Sequence, residues 1–158
     1  MKDNDQTNID IFWMEKALSL AKTALDVGEI PIGSLVIKDQ KLIGGACNLS
    51  ISNSDPTAHA EILALRKAGE YLKNYRLPDT TIYTTIEPCT MCLGAMVHAR
   101  ISRLVYGALE PKTGAVVSNF KILEKFDYNH KFQVKGGVMA DEAGKLIKDF
   151  FRKKRAPR

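Results

Sequence analysis

The sequence predicts an α/β sandwich, and three observations carry that expectation. Apolar stretches at helical spacing alternate with short β-branched runs along the chain. One such run, Thr81–Thr85, delivers the chain directly to Glu87-Pro88-Cys89, so reactive residues stand at a strand's C-terminal end, where α/β sheets place their sites. The length of 158 residues, with 45% apolar and 26% charged side chains, is that of one globular domain spanning 1–158.

Each element has its own signal. Ile9–Val27 reads as an amphipathic helix, with Met14, Ala17, Leu18, Ala21, Ala24 and Leu25 on its core stripe. Thr7 with Asp10 resembles a capping box at its start, and Gly28 stops it. Ile32–Ile37 and Lys41–Asn48 are expected to form two strands joined at Lys38-Asp39-Gln40, with Cys47 a small buried hydrophobe and Asn48 closing the second. A polar loop, Ile51–Asp55, leads to a helix over Ala58–Leu72, packed through Ile62, Leu63 and Leu65 and capped by Thr57. After Thr81–Thr85 a second helix covers Cys89–His98, with Pro88 at its start. Arg103–Tyr106 is a fourth strand, and Glu110–Asn119 a loop of the kind that carries binding residues. A short helix is expected near Phe120–Phe126, a fifth strand at Gln133–Val138 and a final helix at Asp141–Lys154. That last helix has Ala143, Leu146, Ile147 and Phe150 inside and Phe151 off the stripe.

Composition narrows the function classes. No run of about 18 apolar residues occurs, so no membrane span is expected. Met1–Asp10 is polar, without the apolar core of a secretory signal, and three cysteines do not make a disulfide framework; a cytoplasmic protein is expected. The formal charge is +5, and residues 152–158 carry five cations and no acid. Such a tail attracts phosphate, and equally suits the negative end of a helix dipole. Phe151 beside it can stack on a base or pack against a partner subunit.

The chemistry concentrates in Thr57-Ala58-His59-Ala60-Glu61-Ile62 and Glu87-Pro88-Cys89-Thr90-Met91-Cys92, a His-x-Glu followed by Pro-Cys-x-x-Cys. Zinc takes imidazole and thiolate in a tetrahedron, and a catalytic zinc keeps one position for water. His59, Cys89 and Cys92 supply three ligands, and no fourth lies nearby in sequence. Glu61 is then placed to accept a proton from water and pass it on. Both segments fall at expected helix starts, where side chains lean toward the N-terminus and a cysteine's thiolate is favoured. His98 and His130 are expected to pack or face solvent rather than ligate.

With these motifs, and with Ile30-Pro31-Ile32-Gly33, Asn74-Tyr75-Arg76-Leu77, Lys112-Thr113-Gly114, Asn129-His130 and Asp149-Phe150-Phe151-Arg152, the chain resembles the bacterial tRNA-specific adenosine deaminases of the cytidine/deoxycytidylate deaminase superfamily. The resemblance implies a three-layer α/β/α cytidine-deaminase-like fold with a five-stranded mixed sheet, and a homodimer. It implies hydrolytic conversion of the wobble adenosine of a tRNA anticodon to inosine, with one Zn²⁺ per subunit on His59, Cys89 and Cys92 and Glu61 as proton shuttle. Asn48 matches the asparagine that orients the flipped base, and Ile30, Pro31 and Ile32 would line its pocket. The backbone around Ala60 and Cys89 is expected beside the reacting base. Asn129 and Phe151 match positions that touch the anticodon loop, and Arg152 joins Phe151 among the substrate contacts. Glu110 stands where the family commonly has an aspartate, keeping the charge on a longer arm. A deaminase of free guanine or cytosine, and a non-catalytic RNA-binding module with structural zinc, share parts of this pattern.

Overall fold

The computed structural model describes residues 2–156. Ten elements follow one another: α1 (Lys2–Leu25), β1 (Gly33–Lys38), β2 (Lys41–Cys47), α2 (Ala60–Leu72), β3 (Thr80–Ile86), α3 (Thr90–His98), β4 (Arg103–Ala108), α4 (Ile122–Lys125), β5 (Gln133–Lys135) and α5 (Ala140–Arg155). The strands form one sheet in the order β2-β1-β3-β4-β5. β1 runs antiparallel to β2 and β3, while β3, β4 and β5 run parallel, so the sheet is mixed as expected.

Strand alternation divides the core in two. Val36, Ile43, Ile82 and Leu104 point to one face, where Ala64, Leu65 and Ala68 of α2 and Leu93 and Met96 of α3 cover them. Leu35, Ile37, Tyr83 and Val105 point to the other, under Met14, Ala17 and Leu18 of α1 and Ala143 of α5. Burying both faces explains why these strands read as nearly unbroken apolar runs. The approach of α2 is close: a Cβ on Gly44 would lie 2.5 Å from the Ala64 carbonyl oxygen, so only glycine fits there.

Several boundaries differ from the sequence reading. α1 begins at Lys2, not Ile9, so Thr7 and Asp10 are interior residues and form no capping box. The Thr7 hydroxyl donates to the Asp3 carbonyl instead. Leu25 is exposed at the helix end, and the chain turns out through Gly28 at φ +74°. Cys47 is half-buried rather than buried. β5 stops at Lys135; beyond it Gly137 takes φ +86°, and the Gly137 and Val138 amides bond the Gly107 and Tyr106 carbonyls of β4 outside the regular ladder. The hairpin turn holds: Asp39 and Gln40 both have positive φ, which matches the twist of the flanking strands.

Asp10 proves to be a structural anchor. Its carboxylate is fully buried and accepts two hydrogen bonds from the Arg103 guanidinium, each 2.7 Å, and one of 2.8 Å from the Tyr83 hydroxyl. Lys135 Nζ stands 3.5 Å away, so one side chain on α1 ties β3, β4 and β5 together. Burial by itself would raise the Asp10 carboxyl, but the Arg103 and Tyr83 bonds outweigh it and hold the group below its ordinary 3.8. A depressed carboxylate stabilises the fold above its unfolded value, and that contribution is lost as pH falls through the folded value. Asp10→Asn is therefore expected to lower unfolding free energy at pH 7 by about 3 kcal/mol, the scale of breaking a buried pair. Urea melts of both proteins from pH 7 down to pH 3 will show the two curves converging below about pH 4 as the wild-type anchor protonates.

Candidate active site

Two helix N-termini meet beside the C-terminal end of β3. β3 runs out at Ile86, the Glu87 amide bonds the Ala108 carbonyl of β4 at 2.8 Å, and Pro88 turns the chain into Cys89, the N-cap of α3. The N-cap of α2 is His59, not Thr57. Thr57 instead belongs to a turn in which its amide and hydroxyl both donate to Asp55, at 2.8 and 2.7 Å. Leu49 N to Ala58 O at 3.0 Å closes the base of this loop and sets His59 near the end of β2. Neither His59 nor Cys89 makes a side-chain cap bond, so both side chains are free to face each other.

They converge with Cys92. His59 Nδ1 lies 3.6 Å from Cys89 Sγ and 3.5 Å from Cys92 Sγ, and the three donor atoms fall within 4.8 Å of one another. A tetrahedral zinc with ordinary bond lengths holds a nitrogen and a sulfur about 3.6 Å apart, so the donors fit that ion in type and spacing. Cys89 is pulled down to about 4 by a hydrogen bond from the Cys92 thiol and by His59, while Cys92, hydrogen-bonded to that thiolate and buried, is pushed up. One thiolate is thus suited to a cation, and a cation bound there would displace the Cys92 proton. Glu61, in the first turn of α2, is 3% exposed. Burial raises its carboxyl above the ordinary range against a hydrogen bond from Cys92, as suits a group that both takes and gives protons.

A cavity of about 430 Å³ opens in front of His59, lined by Ile30, Ile32, Asn48, Glu110, Phe151 and neighbours. That volume suits a nucleobase-sized ligand. Pro31 is buried between the two lining isoleucines, and Ala60 is buried behind His59. Asn129 and Arg152 are exposed and do not line the cavity; Arg152 is held outside by Asp149 at 2.9 Å. A larger groove of about 770 Å³ lies between α2 and α3, lined by Ile62, Leu65, Tyr75, Leu77 and Ala95, and reaches none of the three donors. His98 lines that groove, and His130 Nε2 lies 2.6 Å from the Ile101 carbonyl, so neither joins the cluster.

Residues 8–155 match the MafB19-like deaminase family. A tRNA-specific adenosine deaminase of Haemophilus influenzae is 47% identical over 95% of this chain and 87% of its own length. One of Streptococcus pyogenes serotype M1 is 40% identical over 91% of this chain and 84% of its own. A solved structure from work on A-to-I editing by tRNA:A34 deaminases at the wobble position superposes with a TM-score of 0.81 at 41% identity, covering 84% of this chain and 96% of that one. The chain belongs to the tRNA-specific adenosine deaminase family. It is an enzyme, a deaminase that hydrolyses a C–N bond.

Sequence reasoning missed a structural residue of this deaminase, Glu87. Its buried carboxylate accepts from the amides of Glu110, Val116, Val117 and Ser118, all within 3.1 Å, and from the Ser118 hydroxyl. Burial would raise the group, but these donors outweigh it and hold the carboxyl low. The loop carrying Glu110 is thus wrapped around a charge one residue before Pro88. Gly114 lies flat on it: a Cβ there would come within 2.5 Å of the Glu87 carboxylate. A legible signal exists, since an acid between Ile86 and Pro88 in an apolar run must find donors. Glu87→Ala is expected to strand several buried amides and cost at least about 3 kcal/mol in a denaturant melt. Hydrogen exchange at Val116–Ser118 will accelerate well before exchange in β3 does.

Proposed function

We propose that this deaminase converts the wobble adenosine of a tRNA anticodon to inosine by zinc-dependent hydrolysis, as a cytoplasmic homodimer. The observation that carries the reading is the His59, Cys89 and Cys92 donor cluster with buried Glu61 beside it, opening onto a base-sized cavity. The names of the relatives supply the substrate. The edge of the cavity agrees with RNA: Phe151 is 40% exposed, lines the opening and stacks edge-on against Phe150. It is followed by Arg152, Lys153, Lys154 and Arg155 in the last turn of α5. Pro157 and Arg158 of the basic tail lie outside the described residues.

An adenine already unpaired in an anticodon loop enters the cavity for a few kcal/mol of unstacking. One zinc ion per subunit would be held by His59, Cys89 and Cys92 and would supply Lewis-acid activation of a water. Glu61 takes a proton from that water and delivers it to N1 of the ring. The water oxygen bonds C6, Glu61 carries the second proton to the exocyclic nitrogen, and the C6–N6 bond breaks to release ammonia. Asn48 and Ile30–Ile32 hold the base, the backbone at Ala60 and Cys89 stands beside it, and Glu110, Asn129, Phe151 and Arg152 contact the flanking loop. Among the described residues no helix is long and apolar enough to cross a membrane. The apolar groove between α2 and α3, with Tyr75 exposed at its rim, offers a face that a second copy can cover.

Unmodified tRNA transcripts incubated with pure protein should gain inosine at the wobble position with one ammonia released per site. Ammonia from free guanine without inosine in tRNA would overturn the substrate assignment. Metal analysis should give one zinc per chain, lost in Cys92→Ser and kept in Glu61→Ala. Glu61→Ala should lower single-turnover inosine formation by at least about 10²- to 10⁴-fold, the range of general acid–base catalysis. Light scattering of the purified protein will test the dimer.

A further inference from the structure

We propose that Glu29 is a positioning residue: it locks the Asn48 carboxamide in one of its two orientations and so sets the hydrogen-bond pattern that the cavity offers a nucleobase. The inference rests on the reading of Asn48 as a substrate contact. Glu29 is fully buried, and its partners are neutral. Oε1 accepts the Ser52 amide at 2.6 Å, and Oε2 accepts Asn48 Nδ2 at 3.2 Å.

A carboxylate has only lone pairs to offer, so the group facing it must be the NH₂ end of the asparagine. The two ends of a carboxamide are nearly identical in shape, and without such a partner they exchange at little steric cost. Glu29 therefore decides which way Asn48 faces. Among the described residues Asn48 Oδ1 is left with only the Ser50 hydroxyl at 3.5 Å, a weak contact that a better donor can replace. Glu29, Asn48 and Ser50 all line the cavity beside His59. A site that reads a base through one amide depends on that amide's direction, because the flipped form presents a donor where an acceptor is needed. The Ser52 bond adds a second constraint. It fastens the 48–59 loop, which ends at His59, to the same carboxylate, so base reader and metal donor are referred to one fixed point.

Glu29→Gln is the informative substitution. The shorter bond from Ser52 keeps the remaining oxygen, so the new NH₂ faces Asn48 and drives its carbonyl round. In ¹⁵N spectra of the wild-type protein, the Asn48 side-chain pair, assigned by its loss in Asn48→Ala, should hold one slowly exchanging proton. Glu29→Gln should abolish that protection while the Ser52 backbone amide stays protected. On tRNA, kcat/KM should fall about 10- to 100-fold in Glu29→Gln, as for a misplaced reacting group. In an Asn48→Ala background the same change should cost less than about twofold, because the two residues act as one unit. An Asn48 amide that exchanges freely in the wild type, or two losses that multiply, would overturn the proposal. If the wild-type chain makes no inosine in tRNA, the substrate reading fails alone, and the spectra still judge the lock.

Discussion

Everything at this site follows from one constraint: two helices must begin at the same point. An α-helix leaves its first amides without partners, and the N-cap side chain normally answers them. Here His59 and Cys89 occupy the two N-caps and make no cap bond. Their side chains are spent on each other and on Cys92, three residues into α3. Both helices thus point their positive ends at a cluster of sulfur and imidazole, which favours the thiolate at Cys89 and suits a site where negative charge gathers. The sheet makes the meeting possible. α2 carries the chain from β2 past β1 to β3, and α3 carries it from β3 to its parallel neighbour β4, so both helices share one face with their starts at one edge.

Three buried carboxylates hold that arrangement in place, and they do so by different means. Asp10 is neutralised by Arg103 with Lys135 close by, and joins α1 to three strands. Glu87 pairs with no cation among the described residues and is surrounded by amides, which organise the loop bearing Glu110. Glu29 has two neutral donors and fixes the side chain of Asn48. A buried anion with its donors in place is directional in a way that apolar packing is not, since each lone pair specifies where a donor must stand. The same property makes each one sensitive, because loss of the acceptor strands every donor at once.

The contrast between what was legible in the sequence and what was not has the same origin. Helix and strand identities could be read because apolar spacing is local: Met14, Ala17 and Leu18 report their own helix, and Thr81–Thr85 its own strand. The convergence of His59, Cys89 and Cys92 could be read because ligand chemistry restricts residue types to a short pattern. The ends of α1 and the cap of α2 were misread because Thr7, Asp10 and Thr57 have the residue types of caps while their partners lie elsewhere. Asp10 meets Arg103 across 93 positions, and Glu29 meets Asn48 across 19. No window of sequence contains such pairs. The available clue was negative: Glu29 between Gly28 and Ile30-Pro31-Ile32, and Glu87 between Ile86 and Pro88, are charges in stretches otherwise bound for the interior.

That clue separates two kinds of acid in this chain. Glu61 is buried with its carboxyl raised, which fits the proton carrier we propose it to be. Glu87 is buried with its carboxyl lowered and so stays an acceptor, as a scaffold must. Burial alone raises both; the difference lies in the donors. Glu87 meets four amides and a hydroxyl, whereas Glu61 has only the Cys92 thiol, its own backbone amide and the His59 charge against its desolvation, and the Cys89 thiolate works against them. Surplus donors turn a buried carboxylate into structure, and a deficit of donors leaves it poised for chemistry.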